Sequence, residues 1–121
     1  MQHQATINGR SVAVTLTDAA ERALAARDAP LEAQMELYFS CLIRLKVRFL
    51  DVVSEAAAPA GERLAVSFRP VMTAACDNRF EGDEPPVTDF PLERVDAYTP
   101  RWLEIDHRRG TFEGRFGFRA R

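Results

Sequence analysis

Apolar side chains occupy every odd position of segment 33–49, whereas six of its eight even positions are polar or charged. A period of two residues is typical of a β-strand with one buried face. A helix would spread these polar side chains around nearly its whole circumference and leave no clean apolar stripe. The pattern therefore predicts one long strand over residues 34–50.

The length of this strand raises a geometric problem. Seventeen extended residues span about 56 Å at roughly 3.3 Å each, whereas a domain of 121 residues has a diameter of roughly 35 Å. The strand must bend, break or pair with a second chain, and Leu42, the apolar interruption of its polar face, marks the place. We expect a bent strand that contributes to a homo-oligomer.

Turn and capping signals define the elements before this strand. Asn8-Gly9 is a favoured two-residue hairpin turn, so residues 4–17 are predicted to form a β-hairpin. Asp18 is followed three residues later by Glu21, which is the pattern of a capping box at a helix N-terminus. The sequence therefore predicts a short helix over residues 18–28.

The elements after the long strand follow from the same signals. Alternating apolar residues predict a strand over 63–69, which Pro70 would end or place at a sheet edge. Three prolines and a run of acidic residues predict an irregular loop over 72–92, and a hairpin is predicted over 101–119. One helix and five or six strands then form a single domain over residues 1–121.

Short connections favour antiparallel pairing, because parallel strands need long crossovers. The predicted fold class is therefore α+β. Its architecture is a strongly bent, half-barrel-like antiparallel sheet of five to six strands, packed on the short N-terminal helix.

Composition narrows the functional classes. The net charge of −2 is not that of a general nucleic-acid binder, which is usually basic. The chain contains no run of eighteen apolar residues and no apolar leader, so we expect a cytoplasmic protein without a membrane partner. Lys46 is the only lysine among sixteen Lys and Arg residues, a bias that we interpret as that of a GC-rich bacterial genome.

The leading functional hypothesis is a non-enzymatic domain that self-associates or binds a protein partner. A second hypothesis is a thiol-dependent enzyme or a site for a small anionic ligand. Cys76 would be its nucleophile, His107 its base and Arg79 its anion contact, because a thiol beside a cation has a lowered pKa. The spacing of the cysteines and histidines matches no metal site, and no nucleotide-binding motif occurs, so we expect neither metal nor cofactor.

A third hypothesis concerns the even positions of the long strand. Arg44, Lys46 and Arg48 would form a basic ladder on one face, where they could bind phosphate or RNA. The same ladder could instead pair with the acidic segment 81–99, or simply face solvent. The sequence identifies no particular small-molecule ligand.

Overall fold

Two β-sheets and one short helix make up the part of the chain that the structure, a computed structural model, describes: residues 2–39, 44–73, 87–89 and 98–119. The helix α1 spans Asp18–Ala25. The strands, in chain order, are β1 (Gln2–Ile7), β2 (Arg10–Leu16), β3 (Leu31–Phe39), β4 (Arg44–Leu50), β5 (Ala58–Pro59), β6 (Leu64–Thr73), β7 (Val87–Asp89), β8 (Trp102–Arg108) and β9 (Thr111–Gly117).

The first sheet has the order β1-β2-β8-β9, and the second has the order β4-β3-β6-β5 with β7 also paired to β6. Both sheets are mixed, because β2 runs parallel to β8 and β3 runs parallel to β6. The α+β class is confirmed, whereas the prediction of a single bent antiparallel sheet is wrong. The long connections that parallel pairs require are present, since other strands lie between the partners along the chain.

The predicted long strand over 34–50 is in fact an antiparallel pair. Strands β3 and β4 face each other, with Met35 opposite Val47 and Leu37 opposite Leu45. Residues 40–43, which include the predicted bend at Leu42, lie outside the described residues. Two strands of nine and seven residues replace the predicted strand of seventeen. Strands of this length fit within one domain, so the geometric argument for a homo-oligomer no longer holds.

Two predicted hairpins are confirmed. Strands β1 and β2 pair around Asn8-Gly9, and β8 and β9 pair around Arg109-Gly110. Both residues of each turn have positive φ: 53° and 77° in the first turn, 53° and 79° in the second. This conformation is that of the primed turns, whose twist matches the flanking strands.

The helix starts where it was predicted, but its cap and its end differ. Thr17, not Asp18, is the N-cap: its backbone is extended and its hydroxyl accepts a hydrogen bond from the Ala20 amide at 3.1 Å. The helix ends at Ala25 rather than at residue 28. Ala20 and Leu24 are its buried residues, so a single short apolar stripe holds it against the sheets.

The strand predicted over 63–69 continues through Pro70 to Thr73. On the side of β6 away from β3, β5 pairs with residues 65–66 and β7 with residues 71–73, so Pro70 lies between these two ladders. The predicted irregular loop over 72–92 therefore includes strand residues at both 72–73 and 87–89. The remainder of that prediction lies outside the described residues.

The two sheets pack face to face around one apolar core, which includes Val14, Met35 and Leu103. Beside the core, β4 lies over β9. A Cβ placed on Gly114 of β9 would come within 3.0 Å of Val47, and the rings of Phe49 and Phe112 are 5.6 Å apart. The odd residues of β3 from Leu31 to Leu37 and of β4 thus face the first sheet, and their even residues lie on the opposite, outer face of the second sheet.

Candidate functional site

Four cations lie on the outer face of the second sheet. Arg44, Lys46 and Arg48 occupy alternate positions of β4, and Arg69 of β6 is in register with the same row of residues. We call these four residues the basic face. The structure thus places the three predicted cations on one face of one strand and adds Arg69, which belongs to a strand that sequence reasoning had not associated with them.

A buried carboxylate lies within the basic face. Glu36 of β3 is fully buried, and its Oε1 accepts hydrogen bonds from Arg48 Nε at 3.2 Å and from the Tyr38 hydroxyl at 3.4 Å. Its Oε2 lies 4.0 Å from Arg69 Nη1 and has no hydrogen-bond partner. One carboxylate on the central strand is thus hydrogen-bonded to an arginine of one neighbouring strand and lies near an arginine of the other.

The charge of Arg48 is fixed by this contact. Burial alone would lower the pKa of its guanidinium, but the Glu36 carboxylate and the Tyr38 hydroxyl outweigh burial and raise the pKa above its usual value. Arg48 and Arg69 each remain 36% exposed at the side chain. Arg48 is therefore held by Glu36, while both arginines keep part of the side chain accessible to solvent.

A second buried carboxylate, that of Glu32, lies at one end of the outer face. Glu32 is fully buried and accepts hydrogen bonds from the Ser54 amide at 2.8 Å and the Ser67 hydroxyl at 2.7 Å. Burial would raise the pKa of Glu32, but these hydrogen bonds outweigh it and hold the pKa below its usual value. Glu32 therefore ties the segment after β4 to the sheet as a charged group with its bonds satisfied.

The outer-face positions of β3, β4 and β6, taken together, carry a positive charge. On the outer-face positions of β3, β4 and β6, four cations face two carboxylates, a net of +2, although the whole chain carries −2. The aromatic ring of Tyr38 is 6% exposed, so it is not available for stacking. The sequence could reveal the row of cations, but it gave no sign that the glutamates between them were buried.

A groove of about 620 Å³ lies on the outer face of the first sheet, and four of its charged side chains form two ion pairs, Asp106–Arg108 and Glu104–Arg115. The Thr17 hydroxyl donates to Asp106 Oδ1 at 2.7 Å, while Arg108 Nε lies 3.2 Å from Asp106 Oδ2. The Thr17 hydrogen bond, together with the His107 amide, lowers the pKa of Asp106. These contacts join helix and sheet, so we assign the groove a structural role.

Of the three residues of the predicted thiol site, His107 alone lies within the described residues. The ring of His107 contacts Phe112 edge to face, with ring centroids 4.7 Å apart. Cys76 and Arg79 lie outside the described residues, so their roles remain predictions. Among the residues that the structure does describe, no group of three or more His, Cys, Asp or Glu side chains could hold a metal ion.

None of the helices described is long and apolar enough to cross a membrane. Comparison of the chain with protein-family models, with curated proteins and with solved structures found no match. The geometry of the outer face is therefore the basis on which a function can be proposed.

Proposed function

We propose that this protein is a binding domain that recognises a negatively charged protein partner through the basic face. The observation that carries the proposal is the concentration of four cations on one sheet face of a protein whose net charge is −2. Such a local patch attracts an acidic partner and increases the rate at which it associates.

Glu36 supports this role by ordering the arginines before a partner arrives. Its hydrogen bond with Arg48 restrains one long side chain, and its other oxygen lies 4.0 Å from Arg69 and attracts it. Ordering a flexible side chain on binding costs about 0.5–1.5 kcal/mol. A face on which part of that cost has been met during folding is better suited to a partner than four freely rotating side chains would be.

Two related functions are less well supported. Sequence-independent RNA binding usually needs exposed aromatic rings on which bases stack, and the ring of Tyr38 is buried. Self-association now lacks the over-long strand that motivated it, and two copies of the basic face would repel each other. The thiol-dependent alternative with Cys76, Arg79 and His107 remains a prediction.

The proposal is tested by titrating the protein with a hexaglutamate peptide at low ionic strength, using isothermal calorimetry. Arg44→Gln and Lys46→Gln together should weaken binding about tenfold, since two partly exposed charge contacts of about 0.7 kcal/mol each amount to roughly 1.4 kcal/mol. The affinity of the unaltered protein should also fall as salt is added.

A matched control removes two cations elsewhere. The double variant Arg22→Gln and Arg119→Gln, at exposed positions outside the second sheet, reaches the same net charge and should change the affinity less than twofold. Equal weakening by both double variants would show that only the net charge matters and would refute the proposal. Tighter binding of a mixed-sequence RNA than of the peptide would refute it as well.

A further inference from the structure

We infer that the partner binds as an extended strand added to the outer edge of β4, so that the second sheet gains one strand. This inference rests on the proposed function and specifies its geometry. The occupant is a segment of another protein in which acidic and apolar residues alternate. Main-chain hydrogen bonds to the edge would provide affinity, and the alternating side chains would provide specificity.

The edge itself is the first observation. Strand β4 ends the second sheet, and among the described strands it pairs with β3 alone. Alternate residues of an antiparallel strand direct their backbone groups away from the partner, so every second residue along Arg44–Leu50 presents its N–H and C=O at this edge. An edge of this kind is a template for a further strand unless the chain covers or repels it.

The side chains on the two faces of β4 are the second observation. On the outer face, Arg44 is exposed and begins the row of cations. On the inner face, Leu45 is 47% exposed. The next two inner-face residues, Val47 and Phe49, instead pack against β9. A partner strand would place its acidic residues beside the cations and its apolar residues beside Leu45.

The same arrangement excludes a second copy of β4 as the occupant. In an antiparallel pair of two β4 strands with their apolar faces aligned, the cations of one copy would lie opposite the cations of the other. Like charges placed directly opposite each other destabilise a strand pair. Charged edge residues are a common means by which proteins prevent such self-pairing, so the edge selects an acidic partner.

The experiment uses the full chain and a seven-residue peptide in which Glu and Val alternate, capped at both ends. Successive amides of a strand point in opposite directions, so only every second peptide amide would contact β4. Two N-methylated forms of the peptide are compared, one methylated at every Glu and the other at every Val. One form should lose about a hundredfold in affinity, because several hydrogen bonds are lost, and the other should change less than threefold.

Two further controls test the side chains. Leu45→Ser should weaken binding of the unmethylated peptide about threefold, whereas Val52→Ser, an exposed apolar residue outside β4, should have no effect. A peptide of the same composition with its Glu residues grouped together should bind at least tenfold more weakly than the alternating one.

The outcomes separate this inference from the proposed function. Suppose that the alternating peptide binds. If methylation then lowers the affinity of neither form, or lowers that of both forms equally, strand addition is refuted and recognition by charge stands. If no acidic peptide binds even at millimolar concentration and low salt, both the inference and the proposed function are refuted.

Discussion

Removing the hydroxyl of Ser67 tests whether its hydrogen bond stabilises the buried carboxylate of Glu32. Ser67 Oγ donates to Glu32 Oε2 at 2.7 Å, and the Ser54 amide donates to Oε1 at 2.8 Å. A hydrogen bond to a charged group contributes about 1.5–3 kcal/mol. Because one donor remains, we expect Ser67→Ala to lower the free energy of unfolding by about 2 kcal/mol at neutral pH.

The loss should depend on pH in a defined direction. The pKa of Glu32 is lowered in the folded protein, so its carboxylate stabilises the fold above the unfolded-state pKa of about 4.3. That contribution is lost as the pH falls through the lower folded-state pKa. Without the Ser67 hydrogen bond the folded-state pKa rises, so the difference between the two proteins should shrink as the solution is acidified.

Urea unfolding followed by circular dichroism, at neutral pH and at the lowest pH that retains a folded baseline, measures this difference. Ser11→Ala provides the control, because Ser11 is exposed on strand β2 and its change should stay within about 0.5 kcal/mol. A loss for Ser67→Ala that is equally large in acid would show that the hydrogen bond does not favour the charged carboxylate. A loss no greater than that of the control would refute the reasoning entirely.

Three further substitutions probe other contacts. Thr17→Ala should lower the free energy of unfolding by about 1 kcal/mol, because the helix loses its cap, and should raise the pKa of Asp106. NMR titration of the Asp106 carboxyl should show this rise. Thr17→Ser, which keeps the hydroxyl, should leave the pKa of Asp106 unchanged. Gly114→Ala should lower the free energy of unfolding by about 1–3 kcal/mol, because the new methyl group meets Val47. Val47→Ala in the same protein should relieve part of this loss. Losses from the two single variants that simply add in the double variant would contradict the prediction. Gly9→Ala, at a φ of 77°, should cost about 1–2 kcal/mol in thermal unfolding.

The alternation of residues 33–49 correctly predicted a strand and its two faces for residues 33–38 and 44–49, but not that β3 and β4 pair with each other. In the observed register, Ala33 pairs with Phe49 and Leu37 with Leu45, so odd residues always oppose odd residues. A reversal in which an odd number of residues separates the last paired residues, here Tyr38 and Arg44, keeps the apolar side chains on one face. Alternation alone therefore cannot distinguish one long strand from a hairpin of this kind.

Local sequence signals were most informative where neighbouring residues alone determine the backbone conformation. The Asn8-Gly9 turn was predictable because few dipeptides adopt positive φ at both positions. The parallel pairing of β3 with β6 depends on contacts between residues far apart in sequence, so no local signal reveals it. The burial of Glu32 and Glu36 likewise depends on groups brought in by other strands and by the segment after β4.

The first sheet joins an early and a late part of the chain, since β2 and β8 pair although residues 17–101 separate them. Bringing such distant segments together costs loop-closure entropy before any contact is formed. On a ribosome, this sheet cannot be completed until β9 has emerged, whereas the β3–β4 hairpin can form much earlier. The nascent chain would therefore expose one side of a half-built core during synthesis, and its folding should be slow for its size.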